Sequence, residues 1–298
     1  MSPGRPPRLK HRLEYALFAG AVALGLRLSD TGADRLGAAL GRLGYRLGIR
    51  RAVVERHLAL AFPDRDQRWI RPTARACYEH VGREALAMLR LAGTTPETIR
   101  RRVSARGIDR LQAALAEGRG AVIVSGHLGN WEIGAAVLAV HGIPIDVVVQ
   151  RQANPLFDRA IVNARERLGV RVIDRRHATQ RALRSLREAR AVAFVSDQNA
   201  GRSGAFVPFF GRPASTHRGA ALLAIRTGAP LFLAYLRRAG AGYQGFVEPI
   251  EIDRSGDTHA AVERLTAAFT AALETAVRQA PEQYFWHHRR WKTRPPGE

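Results

Sequence analysis

Apolar positions in this 298-residue chain follow a helical period through its first third and change texture near residue 119. From 31 to 118 the 3.6-residue spacing persists, with a break at Ala61-Phe62-Pro63-Asp64, where proline stops a helix from continuing. Beyond 119 come short, β-branched-rich runs: AVIVS from Ala121, IDVVV at 145–149, VRVI at 170–173, AVAFVS at 191–196 and PLFLAYL at 230–236. Helical stretches separate them. That alternation predicts an α/β fold, with a largely parallel central sheet flanked by helices. The most apolar stretch is 13–28; its twelve residues from Tyr15 to Leu26 carry no charge, and Arg12 and Arg27 flank them. As a helix those twelve span about 18 Å, well short of the roughly 30 Å of a bilayer's hydrocarbon core. An interfacial helix with its basic flanks among lipid headgroups is the expectation, and a buried core helix is the alternative. The expected organisation is therefore an amino-terminal membrane-associated helix over 1–30 and one large domain over 31–298, helical at 31–118 and α/β at 119–298.

Composition changes this picture in two ways. The formal net charge is +21, and of 47 basic residues all but Lys10 and Lys292 are arginine. So lopsided a usage is what a GC-rich coding sequence imposes, yet the excess still calls for acidic partners: an anionic membrane surface, a phosphorylated substrate or an acidic carrier protein. Nucleic-acid-binding signatures are lacking, so nucleic acid is not an expected partner. Cys77 is the single cysteine, which excludes an internal disulfide and fits a reducing compartment. MSPGRPPRLKHR is basic, but no small-residue cleavage site follows the apolar stretch behind it, so a cleaved signal is not expected.

Candidate chemistry concentrates in GAVIVSGHLGNWEIGAAVLA, residues 120–139, where a buried strand runs through a turn into a helix. His127 and Glu132 are thereby placed at the carboxyl end of a strand, the edge at which α/β sheets bind ligands. A carboxylate accepting one imidazole N–H would fix the tautomer and leave the other nitrogen as a general base, so Glu132 is the expected partner of His127. Arg151 follows the second strand and Arg165 ends the next helix; either guanidinium could clamp a phosphate or a developing oxyanion. Asp197 and Gln198 close the strand AVAFVS at the same edge, where a carboxylate could orient substrate or simply cap a turn. Glu79 and Glu84 read as a solvated helix face and His57 as packing or surface. No metal-ligand set is evident, since His287 and His288 stand without cysteines or carboxylates beside them. Dinucleotide, phosphate-loop and serine-elbow motifs do not occur.

The segment Ser125-Gly-His-Leu-Gly-Asn-Trp-Glu132 is similar to the H-x4-D/E motif of glycerolipid acyltransferases, and in this form resembles the lipid A biosynthesis (lauroyl/myristoyl) acyltransferase family. RQANPLFDRAIVNAR from Arg151, SDQNAGRSGAFVPFFGRPAST from Ser196 and PEQYFWHHRRWKTRP near the carboxyl end follow in the family's order, and the likeness covers nearly the whole chain. His57 departs from the pattern by standing where asparagine is common. The resemblance implies a membrane-associated O-acyltransferase moving a fatty acyl chain from acyl carrier protein, or acyl-CoA, to a hydroxyl of a glycolipid acceptor such as a lipid A precursor. It implies a direct, metal-independent route without a cofactor, with His127 and Glu132 as its dyad. Arg165 falls where the family carries a functional arginine; Arg151, Asp197 and Gln198 are further substrate-binding candidates. GAFVPFFGRPAST would wall the acyl-chain site, and the aromatic, basic tail would meet the membrane. The implied location is the cytoplasmic face of the inner membrane. Acylation of phosphatidylinositol mannoside or a lysophospholipid is the nearest rival, and a non-catalytic basic protein binding membrane or nucleic acid is the rival of a different class.

Overall fold

A computed structural model describes residues 8–297; the basic leader at 1–7 lies outside the described residues. In chain order the elements are α1 (Leu9–Arg27), α2 (Asp30–Arg46), α3 (Arg51–Ala61), α4 (Gln67–Arg90), α5 (Pro96–Arg102), β1 (Val103–Arg106), α6 (Ile108–Ala116), β2 (Ala121–Ser125), α7 (Trp131–Val140), β3 (Ile145–Val149) and α8 (Pro155–Arg167). They continue with β4 (Arg171–Asp174), α9 (Ala178–Arg187), β5 (Ala191–Val195), β6 (Ala205–Phe209), β7 (Arg212–Thr216), α10 (Gly219–Thr227), β8 (Leu231–Ala239), β9 (Gly242–Ile250) and α11 (Thr258–Gln279). Local chemistry sets many of the starts. Ser29, Asp66, Asn130, Asn154 and Asp257 each accept a backbone N–H in the first turn of the helix that follows, relieving donors that have no intrahelical partner.

The main sheet has the order β1-β9-β8-β2-β5-β3-β4. Every pairing is parallel except the β8–β9 hairpin, so the fold is α/β with a mostly parallel sheet, as the alternating runs predict. β6 and β7 form a separate antiparallel hairpin. Strand β2 is buried on both faces. Val122 and Val124 face one core with Phe209, Leu265 and Trp286, while Ala121 and Ile123 face another with Leu111, Val137 and Ile145. That two-sided burial explains why β2 reads as an unbroken apolar run rather than an alternating one.

The amino-terminal helices cover one end of this body. α2 and α4 cross at backbone contact: a Cβ on Gly41 would overlap the Tyr78 carbonyl oxygen. α1 docks through Phe18 edge-on against Phe157, with ring centroids 4.5 Å apart, and through the Arg90 guanidinium, which donates to the Gly25 carbonyl. Its outer face carries Leu13, Leu17 and Leu24 in the open, and α2 does the same with Leu36, Leu40 and Leu43. Among the described residues no helix is long and apolar enough to cross a membrane.

Candidate active site

The turn between β2 and α7 is clamped from three directions. Gly129 adopts a positive φ of 62° and packs so close to β8 that a side chain would overlap the Leu236 carbonyl oxygen, so only glycine fits. Its N–H donates to Gln283 O at 2.9 Å, the Phe285 N–H donates to His127 O at 2.9 Å, and the Asn130 N–H donates to Leu236 O at 3.0 Å. The carboxyl-terminal block thus acts as a backbone brace for the motif. Asn130 Oδ1 caps α7 by accepting from Ile133 N–H at 2.9 Å, while its Nδ2 donates to Glu84 Oε2 at 2.6 Å. Glu84 is 4 % exposed, which corrects the solvated-face expectation: it also accepts from Tyr243 Oη at 2.8 Å and Arg238 Nε at 2.7 Å. A helical period alone cannot distinguish a buried carboxylate from a solvated one when its partners come from β8, β9 and the motif itself.

His127 sits two residues past the end of β2, and Asp197 two residues past the end of β5. These strands are parallel neighbours with Ser125 opposite Val195, so the register carries the two residues to the same level of the edge. There the imidazole Nδ1–H donates to Asp197 Oδ1 at 2.7 Å, and the His127 backbone N–H donates to Asp197 Oδ2 at 2.8 Å. Asp197, expected to face substrate, instead gives both carboxylate oxygens to His127. Burial opposes charging of the ring, yet the charge and hydrogen bond of Asp197, with Glu132 behind them, raise the His127 pKa above the ordinary histidine value. Burial likewise penalises the Asp197 carboxylate, but His127 and then Arg290 outweigh it and bring its pKa down to about 2. Nε2 is left on the open side, 3.3 Å from the Gln198 side-chain amide, and Trp131 packs edge-on against the ring at 4.6 Å between centroids.

Glu132 takes a different partner from the one expected. Its carboxylate accepts two bonds from Arg165, Nε to Oε2 at 2.9 Å and Nη2 to Oε1 at 2.6 Å, with both side chains largely buried. The reason is geometric and electrostatic together. Glu132 lies in the first turn of α7 facing α8, and a bidentate guanidinium binds a carboxylate more strongly than a single imidazole N–H can. So Arg165 joins the site through Glu132. Arg151 does not: it pairs with Asp158 at 2.5 Å and Asp174 at 3.6 Å in the loop after β3 and remains about half exposed.

Ser125, Trp131, Glu132 and Arg165 also line a slot whose remaining walls are almost wholly apolar, among them Ile123, Val147, Phe194 and Val247. Its space is about 790 Å³ including the open mouth. The slot lies on the Ile123 face of the sheet. Phe209 and Phe210, expected as acyl-chain wall, pack on the opposite face against Tyr284 and Trp286. Trp286 and Tyr284 are themselves core, 1 % and 4 % exposed, so these tail aromatics hold the site up rather than meet lipid. His57 is likewise interior, its Nδ1 bonded to the Trp286 carbonyl at 2.9 Å. Sequence reasoning missed Asn130 as the cap and Arg290 as a buried cation, whose guanidinium donates to Ser215 O at 2.6 Å and Thr216 Oγ1 at 2.5 Å. The N-cap signal was legible in Asn130 preceding an apolar run; nothing local marks Arg290 among so many arginines. Among the described residues no group of three or more histidine, cysteine, aspartate or glutamate side chains could hold a metal ion.

The strand-end histidine oriented by a buried aspartate lies beside this apolar slot. The family model described as bacterial lipid A biosynthesis acyltransferase matches residues 3–293. The chain is 32 % identical to the lipid A biosynthesis lauroyltransferase of Escherichia coli (strain K12), over 94 % of its own length and 92 % of that protein. It is 27 % identical to the lipid A biosynthesis myristoyltransferase of the same organism, over 96 % and 88 %. The phosphatidylinositol mannoside acyltransferase of Mycolicibacterium smegmatis is 33 % identical, over 56 % of this chain and 57 % of that one. With a family match across almost the entire chain and a relative aligned over more than nine-tenths of both proteins, the protein belongs to the bacterial lipid A biosynthesis acyltransferase family.

Proposed function

We propose that this acyltransferase moves a fatty acyl group from acyl carrier protein or acyl-CoA to a hydroxyl of a glycolipid acceptor, with a lipid A precursor as the first candidate. The observation that carries the reading is His127, held by Asp197 through Nδ1 with Nε2 open, beside an apolar slot that also receives Glu132 and Arg165. The acceptor hydroxyl approaches Nε2 where the Gln198 amide now rests and gives its proton to the imidazole as its oxygen attacks the thioester carbonyl. The tetrahedral intermediate collapses, the carbon–sulfur bond breaks, and the imidazolium returns the proton to the departing thiolate. Asp197 stabilises the imidazolium directly, and the Glu132 carboxylate adds its charge. The slot takes the acyl chain. Catalysis takes place on the cytoplasmic face of the inner membrane, reached through the exposed leucines of α1 and α2 together with neighbouring arginines.

The test is acyl transfer by purified protein to isolated glycolipid acceptors, with product identified by mass spectrometry. His127→Ala is expected to lose at least roughly 100-fold in turnover while remaining folded. Near-normal turnover in a folded His127→Ala protein would overturn the proposal. The mannoside relatives support a second acceptor class, so the same assay is run on phosphatidylinositol mannoside; preference for that lipid would replace the first candidate.

A further inference from the structure

A second recess lies between α3, the turn joining β6 to β7, and the carboxyl-terminal segment. Arg56, Arg212, Arg289, Lys292 and Arg294 line it, and no carboxylate does. All five cations are exposed, and none of their side chains has an ion-pair or hydrogen-bond partner among the described residues. In this they differ from Arg151, Arg165, Arg190 and Arg238, which are each matched to a carboxylate. The recess is large, about 1530 Å³ including its open side. Five cations held without counter-charge in one concavity repel one another, and that arrangement is relieved when an anion binds.

Two further observations say what kind of anion fits. The wall of the recess is continuous with the catalytic loop: Thr293 Oγ1 accepts from Asn199 Nδ2 at 3.0 Å, and Asn199 N–H donates to His288 Nε2 at 3.0 Å, one residue after Gln198. The second observation is that α3, which supplies Arg56, follows directly on Leu47 and Ile49, two apolar side chains left 67 % and 57 % exposed. An anionic headgroup seated in the recess would therefore have its own acyl chains beside apolar prongs.

We propose that this recess binds the phosphate-bearing sugar headgroup of the acceptor lipid, with Arg56, Arg212, Arg289, Lys292 and Arg294 as its anion ligands. The inference rests on the glycolipid-acyltransferase reading and adds where the acceptor sits and what chemical feature is read. A phosphate in a basic recess makes short, charge-assisted hydrogen bonds, strongest when a guanidinium meets two oxygens at once. An acidic carrier protein, whose carboxylates lie on a convex surface, makes no use of the exposed Leu47 and Ile49 beside the recess.

The experiment compares the wild type with Arg56→Gln/Arg212→Gln/Lys292→Gln in two assays. In the first, the acceptor is a phosphorylated disaccharide lipid or the same lipid stripped of phosphate by a phosphatase. The variant is expected to raise KM for the phosphorylated acceptor by about 10-fold or more, leave kcat and the donor KM nearly unchanged, and show no difference on the stripped lipid. In the second, binding is measured by co-sedimentation with phosphatidylcholine vesicles doped with the phosphorylated acceptor, or with phosphatidylglycerol at equal charge. Loss confined to the acceptor vesicles supports the proposal. Equal loss on both vesicles would make the recess a contact for bulk anionic lipid, and a rise in KM confined to a carrier-protein donor would make it a donor dock; either result overturns the proposal, as does unchanged behaviour. Because sedimentation needs no turnover, absence of acyl transfer in the wild type would count against the proposed activity while leaving the recess separately scored.

Discussion

Asp197 holds His127 by two contacts at once, one to the ring and one to the backbone, and substitution separates shape from charge. Asp197→Asn keeps an acceptor oxygen in place but removes the negative charge that raises the His127 pKa. The sign follows: with the charge gone, burial dominates, the histidine pKa falls, and the acidic limb of the kcat/KM profile moves to lower pH. The plateau is expected to fall by roughly 10²–10⁴-fold, because the imidazolium formed in the transition state loses its partner. A pH–rate series on wild type and variant checks both; an unmoved limb would remove Asp197 from the proposed mechanism. Glu132 and Arg165 form a second unit. Each single alanine variant leaves a largely buried charge unpaired, so the double variant is expected to lose less than the two single losses combined. Strict additivity in kcat/KM would show that the two residues act separately. At this scale the sequence was half legible. His127, Glu132, Arg165, Asp197 and Gln198 were all marked as candidates, but the carboxylate nearest His127 in the chain is not its hydrogen-bond partner.

Elements decide that choice, because strand order lies beyond the reach of local patterns. β5 pairs with β2 only after the chain has passed through β3 and β4, and insertion between β2 and β3 brings Asp197 level with His127. The runs of β-branched residues predict the strands and the edge on which their ends lie; neighbour relations come from tertiary packing. The same holds for α4. Glu84 joins Asn130, Tyr243 and Arg238, so one buried carboxylate ties the helical portion to the turn between β2 and α7 and to the β8–β9 hairpin. Glu84→Ala is expected to destabilise the protein by about 3–5 kcal/mol, since the Arg238 guanidinium would be left largely buried with only Asp34 as a carboxylate partner. Thermal or urea unfolding measures this, and a loss below about 1 kcal/mol would mean that solvent reaches Arg238 readily.

At the scale of the whole molecule the questions are where lipid and donor approach. α1 and α2 bury their inner faces on α4 and α8 and leave leucines outward, so they would meet a bilayer as already folded surfaces. Leu13→Ser/Leu17→Ser/Leu24→Ser is expected to weaken vesicle binding several-fold with little change in thermal stability, because these side chains are exposed before binding. Retained binding, insensitive to salt, would place insertion elsewhere. The charge of +21 leads to a kinetic expectation about the donor. An acidic carrier protein is steered over the Debye length, about 10 Å at 0.1 M salt, whereas coenzyme A offers only a few phosphates. With one acyl chain on both, kcat/KM is expected to favour the carrier at low salt, with the gap narrowing as salt rises. Equal or faster transfer from coenzyme A throughout would assign the charge to lipid alone.

The sequence by itself determined the α/β class, the strands of the sheet centre, the turn between β2 and α7 and the family, because hydrophobic period and short motifs are local properties of the chain. Tertiary structure decided which carboxylate meets His127, that Glu84 is interior, that Phe209 and Phe210 face away from the slot, and that Tyr284 and Trp286 are core. Each of these depends on which element becomes whose neighbour. A residue's chemistry is written in its own side chain, but its partner, its solvent exposure and hence its pKa are set by groups tens to hundreds of positions away, brought near only when β2, β5, α4 and the carboxyl-terminal segment close around one another.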